Sequence, residues 1–204
     1  MKKVLRSDSN CIDIGCYRGE ILKDMIKFVP DGRVFAFEPV PANCEYLSKK
    51  FPRVDLFQVA LGDEAGLANF YYDSEHPARS GLAGQKDLTD EFQVEMETLD
   101  HIIPGDMNID LIKIDVEGAE YKVIKGGENL IKRCRPVIIF ECNNGSAELY
   151  NCHPGDLFDL ISKEMGLKIS SMSAWLKETP PFNRNAFIEC VHEEKFNNFI
   201  ACCP

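Results

Sequence analysis

The sequence predicts an α/β protein, a mostly parallel sheet with helices packed on both faces. Three observations predict it. Residues 11–61 alternate strand, helix, strand, helix, strand; the alternation resumes after residue 110; and the composition is that of an ordinary globular chain. Of 204 residues, 45% are hydrophobic and 27% charged, which excludes disorder, collagen and coiled coil. That length predicts one domain, residues 1–204, able to bury a core without staples.

Cys11-Ile12-Asp13-Ile14 is a short apolar run closed by Gly15 and reads as a buried strand. From Gly19 to Phe28, Ile21, Leu22, Met25, Ile26 and Phe28 recur at helical spacing. Pro30-Asp31-Gly32 breaks the chain before a second strand, Arg33 to Phe37. A second helix spans Ala42 to Phe51, and a third strand runs from Val54 to Leu61. Leu67 to Tyr72 and Gln93 to Leu99 alternate as short edge or hairpin strands, so a small β-hairpin insertion is expected. Between them, residues 73–90 are expected as a long loop, of the kind that is usually functional or mobile.

Asp110 to Asp115 is the next strand, and Ala119 to Cys134 the next helix, weakened at Gly126-Gly127. Pro136 to Cys142 is the most apolar strand, and Pro154 to Met165 is helical with proline near its start. Leu167 to Ser170 and Asn185 to Val191 read as two last strands around a Pro180-Pro181 loop.

The net charge is −10, which argues against non-specific nucleic-acid binding. No apolar run reaches the ~20 residues that span a bilayer, and the start has no apolar signal core, so a cytoplasmic address is expected. The nine cysteines include no Cys-x-x-Cys pair; Cys11, Cys142 and Cys190 sit in apolar runs and read as buried thiols. The terminal Cys202-Cys203 pair has no assigned role. Edge strands near 67–72 and 93–99 could pair between chains, which leaves the oligomeric state open.

Between the first strand and helix lies Asp13-Ile14-Gly15-Cys16-Tyr17-Arg18-Gly19, an Asp-x-Gly-x-x-x-Gly turn. Glycines there let backbone approach a ligand and let helix pack on strand. Glu38 ends the second strand, where an acid can accept hydrogen bonds from ribose hydroxyls. Together they point to an adenosine ligand. A dinucleotide needs a third glycine for its pyrophosphate, which this turn lacks. The extra acid, Asp13, suits a cation, so the pattern favours S-adenosylmethionine over NAD.

Six segments resemble the FkbM-type methyltransferases, a branch of the class I S-adenosylmethionine-dependent fold. They are Asp13-Ile14-Gly15 with Gly19, Phe37 to Asn43, Ala60 to Asp63, Thr98-Leu99-Asp100, Ile109 to Glu120, and Pro136 to Glu141. The second and fifth are the most specific. The chain departs from the family at Cys16-Tyr17, where Ala-Asn is common, and in the few residues ahead of its first strand. The resemblance implies a Rossmann-like, doubly wound, seven-stranded sheet whose last strand is antiparallel. It also implies that Asp13, Gly15 and Gly19 line the methionine part, Glu38 binds the ribose and Leu61 lies near adenine. Asp115 would face the methyl-transfer centre.

Asp115, Glu117 and Glu141 stand at or just past strand C-termini, the edge where open α/β sheets bind ligands. Methyl transfer to a hydroxyl needs positioning and a base, for which these three are the candidates, with His101 a weaker one. Asp115, Glu117, Glu141 and Asn143 could gather as oxygen ligands, but they lack loop-chelator spacing, so no metal is assigned. His153 and His192 join no ligand set. Arg79 and Ser80 could reach a substrate or simply tip a solvated loop. The expected partner is a small hydroxylated acceptor, sugar-like or natural-product-like. The alternatives are an NAD-type oxidoreductase and a non-catalytic cofactor-binding module.

Overall fold

The computed structural model describes residues 1–73, 80–82, 90–144 and 150–203. Its first half follows the alternation: β1 (Cys11–Ile14), α1 (Glu20–Phe28), β2 (Val34–Phe37), α2 (Pro41–Lys50) and β3 (Asp55–Phe57). Pro41 opens α2 at a position where no amide hydrogen is needed. The expected strand from Val54 to Leu61 is divided. After β3 the chain leaves the sheet, and β4 (Ala60–Leu61) pairs instead with β6 (Asp90–Glu97), which also pairs antiparallel with β5 (Gly66–Tyr72). The β5–β6 hairpin is the expected insertion, and β4 completes it as a three-stranded sheet.

Leu99 does not extend β6. Thr98 accepts the His101 amide and caps a short helix, α3 (Leu99–Ile102). Asp100 in that helix accepts the amides of Asn129 and Leu130, capping a second helix from a distance. Then come β7 (Leu111–Ile114), α4 (Glu120–Gly126), α5 (Glu128–Cys134) and β8 (Val137–Glu141), with the helix interrupted at Gly127.

The C-terminal quarter departs further from expectation. α6 (Pro154–Asp159) runs into a π turn at Leu160–Glu164, followed by β9 (Lys168–Ser171) and α7 (Met172–Leu176). The segment expected as a strand at Asn185–Val191 is a helix, α8 (Arg184–His192). Asn183 caps it by accepting the Ala186 amide, and Phe187, Cys190 and Val191 share one buried face at helical spacing. The last strand is β10 (Asn198–Cys202). It fills the place between β8 and β9, antiparallel to both.

The main sheet therefore has seven strands in the order β3-β2-β1-β7-β8-β10-β9, mostly parallel with an antiparallel last strand. Strand alternation divides its side chains. Ile12, Ile14, Phe35, Ile112, Ile114, Ile138 and Phe140 face the larger core with α3–α6 and α8. Cys11, Val34, Ala36 and Leu111 face the smaller core with α1 and α2. All nine cysteines are free thiols. Cys202 ends β10, and the Cys203 sulfur accepts from Arg135 Nε at 3.1 Å, which gives that pair a structural place. Among the described residues, no helix is long and apolar enough to cross a membrane.

Candidate functional site

The strand order reverses direction between β1 and β7, so the C-terminal ends of β1, β2 and β7 open onto a crevice. A cleft of about 240 Å³ lies there. The β1–α1 turn, the β2–α2 turn and the segment after β7 form its floor. Leu61, Phe70, Tyr72 and Leu82 from the small-sheet side form an apolar wall.

Side-chain alternation decides which groups meet. Asp13 pairs with Lys113 in the β1–β7 register, and Lys113 pairs with Ile139 in the β7–β8 register. Asp13 and Lys113 therefore sit side by side on the α1–α2 face. One step further, Asp115 and Glu141 meet on the same face. The side-chain oxygens of Asp115, Glu117 and Glu141 come within 4.8 Å of one another. Lys113 Nζ lies 2.6 Å from Asp115 Oδ2, so an ammonium already supplies positive charge to this group.

The β1–α1 turn is closed by backbone contact. Gly15 has φ +72°, and a Cβ there would stand 1.8 Å from the Asp115 carbonyl oxygen. Gly19, at φ +74°, is packed on the Phe51 ring, where a Cβ would approach to 2.4 Å. Both glycines thus serve the approach of β1 to β7 and of α1 to α2. Several amides of the turn are bonded within the protein. Gly15 and Cys16 donate to the Phe37 carbonyl, Gly19 donates to Cys16, and Tyr17 donates to Glu38 Oε2 at 2.9 Å.

Glu38 is the hub of this corner. Its second oxygen accepts from the Val40 amide at 3.0 Å and from Asn43 Nδ2 at 3.1 Å. The segment Glu38-Pro39-Val40-Pro41-Ala42-Asn43 is thereby a loop folded around one carboxylate. Burial raises the Glu38 pKa, and these three hydrogen bonds oppose the rise. Oε2, with one donor, still has lone-pair capacity toward the cleft that Glu38 lines.

Asp13 is different. It is 1% exposed, lines the cleft, and neither oxygen has a hydrogen-bond partner. Burial pushes its pKa up to about 6, with Lys113 opposing and Asp115 and Glu38 adding to the rise. An unpartnered buried carboxylate is costly and asks for a donor. Beyond β7, Glu117 takes a left-handed φ of 54°. Burial first, then repulsion from Glu141, Asp115 and Glu120, push it up to about 8. Glu120, buried beneath, accepts the Val116 and Gly118 amides and is raised to about 7 by burial. Glu141 is raised by burial and by its hydrogen bond to Asp115, while Asn143 donates to its Oε1.

Of the residues singled out in the sequence, Asp13, Gly15, Glu38, Leu61, Asp115 and Glu117 line the cleft. Gly19 and Glu141 lie just outside the lining, Gly19 under α2 and Glu141 beside Asp115. Ser80 lines the cleft and accepts the Asp73 amide; Arg79 lies outside the described residues. His101 pairs with Glu97, and the His153 and His192 rings contact each other away from the cleft. Sequence reasoning missed Lys113, Asn43 and Glu120 as members of the site. The lysine inside a buried strand was the signal for the first.

Residues 13–164 match the model of the methyltransferase FkbM domain. The chain belongs to the FkbM methyltransferase family. It is similar to the 2-O-methyltransferase NoeI of Sinorhizobium fredii, 32% identical over 150 residues, covering 64% of this chain and 62% of that protein. Methyltransferase 1 of Beauveria bassiana is 28% identical over 149 residues, 58% of each chain. This FkbM-family chain thus spans less than two thirds of either relative's length. The fold is shared with the methyltransferase FkbM of Methylobacillus flagellatus at a TM-score of 0.58 and 16% identity, over 97% of this chain and 44% of that one. It is also shared with the plantazolicin methyltransferase BpumL, solved with S-adenosylhomocysteine, at a TM-score of 0.51 and 12% identity, over 95% and 75%.

Proposed function

We propose that this chain is an S-adenosylmethionine-dependent O-methyltransferase for a small hydroxylated acceptor. The observation that carries the reading is Asp13, a buried carboxylate without a partner beside a cleft at the sheet's switch point. The donor set fits the cofactor. Asp13, Glu20, Glu38, Asp115 and Glu117 face Arg18 and Lys113 among the described lining residues, an acidic excess suited to a ligand with an ammonium and a sulfonium. A dinucleotide fits less well, because its pyrophosphate would meet that excess and the turn lacks the third glycine of a phosphate cradle. The domain is taken as the whole chain, since β9 and β10 join the sheet that begins with β1.

Each residue then has a task. Asp13 accepts hydrogen bonds from the methionine ammonium, with the Gly15 turn beside it. Glu38 accepts from the ribose hydroxyls. Leu61, with Val40 and Phe70, holds the adenine. When bound, the cofactor supplies an electrophilic methyl group on sulfur. Asp115 orients the acceptor hydroxyl at that end, and Glu117 or Glu141 takes its proton. Gly19 acts indirectly, by packing α1 against α2. The acidic rim and the net charge of −10 favour a neutral acceptor over a phosphate-bearing one. That a relative is named a 2-O-methyltransferase supports an oxygen as the methyl acceptor. The test is incubation with methyl-labelled S-adenosylmethionine and a panel of neutral sugars and hydroxylated natural products. Label transferred to an oxygen supports the reading. Cofactor binding with no transfer to any acceptor favours the binding-module alternative.

A further inference from the structure

The central strand β7 carries a lysine between Ile112 and Ile114, two residues that are fully buried. The Lys113 side chain is only 12% exposed. Lysine in such a place is costly unless its charge is used, and a buried ion pair is a poor source of stability compared with an apolar side chain. Its neighbours on the α1–α2 face are Leu111 along the strand, Ile139 across β8 and Asp13 across β1. Asp13 is the adjacent register partner, yet the ammonium bonds to Asp115 Oδ2 at 2.6 Å and leaves both Asp13 oxygens without a donor.

We infer that Lys113 is a positioning residue: it ties down Asp115 at the transfer end and stands beside Asp13 without bonding it, so that Asp13 meets a cationic ligand with both oxygens open. The carboxylates that meet its charge are its partner Asp115 and, around that pair, Asp13 from β1, Glu117 from the segment after β7 and Glu141 from β8. The lysine charge pulls the proton affinity of Asp13, Glu117 and Glu141 down against burial. Without it, these carboxyls hold their protons to higher pH, and a cationic ligand must first displace them. The inference uses the cofactor reading above for the identity of the ligand, and its first readout does not depend on that reading.

That readout is the carbon-13 carboxyl titration of Asp13 in the ligand-free protein, for wild type, Lys113→Met and Lys113→Arg. The midpoint should rise in Lys113→Met and stay near the wild-type value in Lys113→Arg. Lys113→Gln replaces the methionine variant if that one does not fold. An Asp13 midpoint unmoved by loss of the charge overturns the inference. The second readout is calorimetric affinity for S-adenosylhomocysteine at pH 6.5 and 8.5. Lys113→Met should lose about threefold more affinity at the lower pH than at the higher, the fall in ionised fraction at pH 6.5 that follows when a midpoint of about 6 moves up by about one pH unit. Lys113→Arg should not. A loss equal at both pH values and shared by Lys113→Arg marks a merely structural lysine and overturns the inference. If wild type fails to bind, the cofactor reading falls, and the titration still decides the role of Lys113.

Discussion

Replacing Asp13 with asparagine removes a buried charge and keeps the shape. Asp13 is raised from its ordinary 3.8 to about 6, chiefly by burial. A carboxyl with a raised folded-state pKa adds stability below its unfolded value and loses it as pH climbs through the folded value. The fold therefore loses stability as pH rises from about 4 to about 6, and the penalty levels off at about 3 kcal/mol above that. An asparagine side chain carries no such penalty, and protonated aspartic acid is its near equivalent. The Asp13→Asn variant should match wild type near pH 4 and melt higher at pH 7.5, by up to roughly 6–12 °C for a chain of this size. At the same time it loses a charge-assisted hydrogen bond to the ligand, worth roughly 10- to 100-fold in S-adenosylhomocysteine affinity. Thermal melts across pH and calorimetry read the two effects. A variant that is less stable at pH 7.5 and binds unchanged would refute the assignment of Asp13 as an open ligand site.

Glu38→Ala strands the Tyr17 and Val40 amides and Asn43 Nδ2, so urea unfolding should show a loss of about 3 kcal/mol or more along with weakened cofactor binding. With Glu117 held up to about 8, methyl transfer should rise with pH toward that value if this carboxylate takes the acceptor proton. Glu117→Gln should then lower the plateau by about 100-fold or more and flatten the rise; an unchanged pH profile assigns the base to another group. Asp100→Ala frees the Asn129 and Leu130 amides, and should cost about 1 kcal/mol of stability while leaving cofactor affinity intact.

The N-terminal half was legible because each element carries its own period and its own stop: Gly15 after β1, Pro30-Asp31-Gly32 after α1, Pro52 after α2. What the sequence concealed depends on contacts between distant segments. Nothing local says that the chain turns out of the main sheet at Gln58-Val59, since β4 exists only through its pairing with β6. Phe187-Ile188-Glu189-Cys190-Val191 is apolar enough for a strand, and only its buried face and the Asn183 cap make it helical. The cleft shows the same division. Asp13, Gly15, Glu38 and Asp115 stood out by motif, whereas the tasks of Asn43 and Lys113 follow from the β2–α2 loop and the β1–β7 register. Of the two tasks the sequence suggests for the glycines, ligand approach and close packing, the structure displays the packing, against the Asp115 carbonyl and the Phe51 ring.

Calorimetric titration of the purified chain with S-adenosylmethionine, S-adenosylhomocysteine and NAD, in parallel with Glu38→Ala, tests the cofactor assignment most directly. Saturable binding of the first two, silence for NAD and weakening by Glu38→Ala is the expected result. Silence for both adenosyl sulfur compounds, or preferential binding of NAD, would contradict it.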